Sequence, residues 1–195
     1  MVEYINTLYL LIIYCIYHTI NEDIMNYGFL EFKIRTAEEK DIKILARFRL
    51  SLQKHMENLN PVILPLSQGA KKSLPARYRQ WISDPMRHVI CAELQSGELV
   101  GMAVALVIEQ TDWNPPRVGR IDDVWVEKNY RQRGVARQLI KHLLNFFSKH
   151  NVSTIVLDYV NGNKEAEATW ESFGFKTILK TAIISPDELE QQIGK

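Results

Sequence analysis

Cysteine is scarce in this chain of 195 residues, where Cys15 and Cys91 are the only two. Two thiols that far apart make no disulfide scaffold, and a reducing, cytoplasmic setting is the expectation. Net charge is nearly absent as well, at +1 from 24 Lys and Arg against 23 Asp and Glu. A dedicated nucleic-acid binder is usually basic, so no nucleic acid is expected as partner, although a local basic pocket is compatible with the balance. No internal repeat or low-complexity stretch occurs. With 46% hydrophobic and 24% charged residues, disordered, collagen-like and coiled-coil classes are excluded. A bilayer-crossing helix needs about 20 apolar residues, and the longest run here, Leu8 to Tyr17, is half that. It also lacks the basic flank of a secretory signal, since Glu3 precedes it and the first Lys or Arg is Lys33. Residues 1–24 read as an apolar extension, from an upstream start or as an accessory helix. A single domain over 25–195 follows, without stable membrane insertion.

What is present is a mixed α/β pattern. Leu30 to Arg35 alternates as a strand, with Leu30, Phe32 and Ile34 on one face. Thr36-Ala-Glu-Glu39 has the form of a capping box, and Ile42, Leu45, Ala46 and Phe48 continue at helical spacing toward Asn58. Asn60 to Pro75, with three prolines, reads as a loop or broken helix before a short helix over Ala76 to Ile82. His88 to Leu94 and Leu99 to Ile108 form a strand pair, and Val118 to Val126 a further strand. From Gly134 a helix carries Ala136, Leu139, Ile140, Leu143, Leu144 and Phe147 as one stripe. Thr154 to Tyr159 reads as a strand, Lys164 to Phe173 as a helix, Phe175 to Ile184 as a strand region and Ser185 as the cap of a terminal helix. Strands grouped early and a βαβ unit late imply a partly antiparallel sheet.

The stretch richest in chemistry is Val124 to Ala136, VWVEKNYRQRGVA, between a strand and an amphipathic helix. Such a turn aims backbone N–H groups and the positive end of the helix dipole at one spot. Gly134 admits an anion close to the main chain, Ala136 keeps the first turn small, and Arg131 and Arg133 supply charge for a diphosphate. Neither a P-loop nor a dinucleotide fingerprint is present. The histidines show no metal spacing, and no metal is expected.

Arg131-Gln-Arg-Gly134-Val-Ala136 resembles the R/Q-x-x-G-x-G/A motif of the GNAT superfamily of acyl-CoA N-acyltransferases. The likeness extends back through Val126 to Arg131, and forward to Leu157-Asp158, Asn163, Ala166 and Trp170-Glu-Ser-Phe-Gly174-Phe175. It implies an α/β fold whose mostly antiparallel central sheet is splayed at the acyl-CoA site and flanked by helices.

By that resemblance, the amides of Gln132, Arg133, Gly134, Val135 and Ala136 cradle the pyrophosphate of acetyl-CoA between Arg131 and Arg133. The backbone of Val124, Trp125 and Val126 pairs with its pantetheine arm, and Asn163 contacts the cofactor or caps the next helix. Transfer to an amine of pKa near ~10.4 needs a proton acceptor. Asp158 lies where some members carry a catalytic Glu. Asp122 and Asp123 lie on the strand facing the thioester, and alternation sends them to opposite faces. Asp158 and Asp122 are the catalytic candidates. Trp170 stands at the family's usual tyrosine acid, and an indole N–H delivers no proton. The expected activity is N-acetyl transfer from acetyl-CoA to a small-molecule primary amine, in a protein compatible with a homodimer. The alternatives are N-terminal or lysine acetylation of protein, or a non-catalytic acyl-CoA-binding regulatory domain. Gln53 to Lys72 and Thr111 to Arg117 are the expected acceptor-binding parts.

Overall fold

Five strands form one sheet in sequence order: β1 Phe32–Thr36, β2 Arg87–Leu94, β3 Leu99–Glu109, β4 Arg117–Val126 and β5 Ile155–Leu157. The computed structural model describes residues 31–194 apart from position 113. The apolar run Leu8 to Tyr17, the rest of 1–24, Cys15, Leu30 and Trp113 lie outside the described residues. β1 to β4 are antiparallel, and β5 runs parallel to β4 after the crossover through α3 (Val135–Lys149). On the other face lie α1 (Ile42–Leu59) and α2 (Gln68–Ser83); α4 (Lys164–Ser172) and α5 (Pro186–Ile193) complete the described α-helices. The two faces bury separate clusters. Leu45, Phe48, Leu74, Tyr78, Met102, Val104 and Trp125 pack under α1 and α2. Ala103, Ala105, Ile121, Val126, Leu139, Leu143 and Phe147 pack beneath α3.

Several sequence expectations change here. The helix expected over Ala76 to Ile82 begins eight residues earlier, at Gln68, with Ser67 Oγ accepting from the Ala70 N–H at 3.1 Å. Pro75 lies inside it, on an exposed position where the missing N–H costs one bond and no burial. The turn before α1 is closed by the Asp41 carboxylate, which accepts from the Glu38 N–H at 2.8 Å, rather than by a Thr36–Glu39 box. On α3, Phe146 is buried and Leu144 exposed, which rotates the expected stripe. The expected strand region Phe175 to Ile184 forms no strand. Ile178 and Leu179 are 79% and 82% exposed, and a β-prone sequence without a pairing partner has nothing to stabilise a ladder.

Two irregularities of β4 position the site. Opposite Val104 stands Asp123 but opposite Ala105 stands Ile121, so Asp122 is the extra residue of a β-bulge. On its other side β4 pairs with β5 only over Gly119 to Ile121. Beyond Ile121 that pairing ends, because β5 stops at Leu157, and no described strand pairs with this side of β4.

Candidate active site

Gly134 stands at φ +79° as the N-cap of α3, preceded by Gln132 at φ +58°. Left-handed residues alternating in this way turn successive N–H groups inward, as in an anion-binding nest. No side chain caps α3, and a Cβ built on Gly134 would meet nothing within 4 Å. The amides of Val135 and Ala136 lie in the first turn, at the positive end of a 15-residue helix whose N-cap carries no side chain in the way, which fits a diphosphate. Arg133 is exposed beside the turn. Arg131 is committed elsewhere: its Nε donates to the Val126 carbonyl at 3.1 Å, and its Nη1 pairs with Glu165 at 3.1 Å. Its guanidinium also lies 5.0 Å over the Trp125 ring. Arg131 thus ties the turn to the end of β4 and to α4.

The Glu127 N–H donates to Val100 of β3 at 2.9 Å. Alternation turns the main-chain groups of Val124 and Val126 the other way, toward the gap left by β5. An extended amide-bearing arm laid there would add a strand. Trp125 points to the α1 and α2 face, edge-on to His55 at 6.1 Å, and its buried indole N–H has no acceptor among the described residues. Burial, with the Arg131 charge adding to it against Glu165, holds His55 below the ordinary histidine range.

The bulge decides where the acids go. Asp123 pairs with Arg49 of α1, Nε to Oδ1 3.2 Å. Asp122 pairs with Arg120 at 2.9 Å and with Arg87 at 3.5 Å, and the Arg87 guanidinium lies 4.9 Å over Trp81 of α2. Both carboxylates therefore face α1 and α2, and the opposite-face expectation is corrected: the inserted residue shifts the alternation by one. Asp158 is 79% exposed and also paired with Arg120, so Asp122 and Asp158 share one guanidinium. Asp123 differs from both. It is 7% exposed, and burial, with the Asp122 charge adding to it, raises its carboxyl to about 6 against the pull of Arg49 and Arg77. The neighbouring Tyr78 hydroxyl, buried and 3.5 Å from the Met102 sulfur, is pushed well above the usual phenol range.

Asp123 was one of two strand acids in the sequence, and nothing there singled it out. Arg49, Gln53 and Tyr78 carried no motif at all. Asn163 caps α4, its Oδ1 accepting from the Ala166 N–H at 3.0 Å. Trp170 is buried edge-on against Phe175 and Phe173 at 5.6 and 6.0 Å. The Tyr159 hydroxyl is paired with Thr177 Oγ1 at 2.6 Å. His142 stacks on His88 at 5.8 Å.

The model of the acetyltransferase (GNAT) family matches residues 56–175. Among curated relatives, the [ribosomal protein bS18]-alanine N-acetyltransferase of Escherichia coli (strain K12) is 30% identical over 83 residues. That match spans 42% of this chain and only 50% of the relative's length. N-alpha-acetyltransferase RimI of Mycobacterium tuberculosis is 27% identical over 143 residues, covering 73% of this chain and 84% of that protein. Of solved structures, a predicted acetyltransferase from Clostridium acetobutylicum with acetyl-CoA superposes with a TM-score of 0.65 at 19% identity. The superposition takes in 81% of this chain and 98% of that one, a likeness of fold.

Proposed function

Because this chain belongs to the acetyltransferase (GNAT) family, we propose that it moves the acetyl group of acetyl-CoA directly onto a primary amine, with Asp123 taking the amine's proton. The supporting observation is a buried acid, raised to about 6, on the strand whose main chain lies open beside it. The turn from Gln132 to Ala136 holds the pyrophosphate, and the main chain of Val124 and Val126 holds the pantetheine amides. An N–H on that open side polarises the thioester carbonyl, a contribution commonly worth about 3–4 kcal/mol. The ammonium first sheds one proton to water; the neutral amine nitrogen then bonds to the carbonyl carbon, its second proton passes to Asp123 directly or through water, and the carbon–sulfur bond breaks. The thiolate leaves with a pKa near ~8.5, so departure needs little help and no tyrosine at position 170. Asp122 and Asp158, neutralised in part by Arg120, draw the cationic amine toward the mouth of the site.

The acceptor we propose is a small-molecule amine. Gln53 pins the connection between α1 and α2 at Leu64, and a pinned wall suits a compact acceptor. The names of the two curated relatives favour a second reading, the α-amine of a protein N-terminus. Calorimetry with acetyl-CoA followed by thiol release over small amines and N-terminal peptides tests both. Binding without thiol release across the panel overturns transfer, and a preference for peptides overturns the small-molecule acceptor. Gly134→Val, β-branched at a left-handed position, should abolish acetyl-CoA binding. Unchanged affinity would remove the pyrophosphate assignment.

A further inference from the structure

Gln53 is a polar side chain in the middle of α1 and only 4% exposed. A leucine or methionine would fill that volume without polar groups to satisfy, so its amide has to be accounted for by partners. It has three. Its Oε1 accepts from Arg49 Nη1 at 3.2 Å, while its Nε2 donates to Glu57 Oε1 at 2.9 Å and to the Leu64 carbonyl at 3.1 Å. Arg49 can only donate and the Leu64 carbonyl only accept, so the orientation of the amide is forced. Arg49, Gln53 and Glu57 follow one another at four-residue spacing down one face of α1. The series ends at Asp123, which Arg49 meets through its remaining Nε.

We propose that Gln53 is a positioning residue for acetyl transfer: it seats Arg49 against Asp123 and fastens that pair to the main chain of the connection between α1 and α2. This rests on Asp123 as the base. The groups facing Asp123 are few. They are Arg49 from α1, Arg77 and the Tyr78 phenol from α2, and Asp122 from its own strand. Of the two cations, Arg49 is the one in contact, so its placement sets how far burial is opposed. The connection it is tied to, residues 60–67, carries Val62 and Leu64 exposed to solvent. An acceptor that presses on this wall pulls at the Leu64 carbonyl, and through Gln53 and Arg49 the strain arrives at the base.

Gln53→Met keeps the volume and the helix while removing all three hydrogen bonds. Two readouts apply: the carboxyl-carbon titration of Asp123 in the ligand-free protein, and the acid limb of kcat/KM in the presence of acetyl-CoA. Both should move to higher pH, because an unseated Arg49 opposes burial less. kcat/KM at pH 6.5 should fall at least threefold while acetyl-CoA affinity stays as in wild type. Arg49→Lys, which keeps the charge but cannot serve Asp123 and Gln53 together, should move the titration the same way and covers the case in which Gln53→Met does not fold. Asp123 titrating at its wild-type pH in both variants overturns the positioning role. Absence of thiol release from wild type with every amine instead overturns the transfer reading, and the titration still decides the link from Gln53 to Asp123.

Discussion

The two faces of the sheet bury different kinds of matter. Beneath α3 the buried cluster is hydrocarbon and aromatic throughout, from Ile90 to Phe147. The four buried polar residues of the described chain lie elsewhere: Asp41 caps α1, Gln53 is on it, Asp123 pairs with it through Arg49, and Glu93 shares Arg35 with Asp41. Near the sheet's edge, Arg35 pairs with Asp41 at 2.6 Å and with Glu93 at 2.9 Å. The guanidinium, with help from Lys33, holds Glu93 down at about 2. At the other end Asp123 touches only one of its two neighbouring cations, Arg49, and burial raises it. The Trp125 N–H has no partner on the same face. One face thus supplies cohesion and the mounting of the turn at Gly134; the other holds polar groups, of which the Arg35 network adds stability while the buried Asp123 costs stability when ionised and is suited to chemistry.

Three perturbations sharpen or break that contrast, in order of expected size. Asp123→Asn should lower kcat/KM by about 10²–10⁴, the usual worth of a positioned base, with little change in melting temperature. Near-wild-type turnover would move the base elsewhere and make the polar face merely structural. Gly119→Ala strikes the other face: its Cβ would lie 2.6 Å from the Phe147 ring and 2.9 Å from Val152. Overpacking there should cost about 1–3 kcal/mol in denaturant unfolding while leaving KM for acetyl-CoA near wild type. A collapse of turnover at unchanged stability would show that the apolar face carries chemistry too. The smallest effect concerns His88, stacked on Phe146 at 5.1 Å. Burial, with His142, Lys149 and His150 adding to it, holds His88 below the ordinary value. The unfolded chain therefore takes the proton first. Stability is intact above about 6.5 and declines as pH falls from there toward the folded value. Unfolding at pH 7.5 and 5.5 should show a smaller acid loss in His88→Phe than in wild type, and equal losses would assign the sensitivity elsewhere.

How much of this was legible in the sequence depends on whether a feature is local. The turn at Gly134 was readable as a helix start because a glycine after two basic residues, opening an amphipathic run, needs no distant partner to adopt its conformation. The strand pair and α3 were readable from periodicity. The bulge at Asp122 was not, since it exists only as a mismatch of register with Val104 and Ala105 on another strand. The same mismatch decided which acid is buried, so Asp122 and Asp158 outranked Asp123 for want of it. Gln53 was invisible for a related reason: its partner at Leu64 lies beyond a turn that composition marks only as loop. Pro75 misled in the opposite direction, a local signal of breakage outweighed by a helix it interrupts only on the solvent side.

β4 is unpaired on one side past Ile121, and in the proposed mode of binding the ligand itself completes the sheet. A molecule bound as the missing strand adds main-chain pairing that folding alone does not supply. By mass action it then favours the folded chain by about 2.7 kcal/mol at a concentration of a hundred times its dissociation constant. Supply of the donor and persistence of the protein become one variable, so that a cell rich in the acyl carrier would also be one in which this chain resists unfolding.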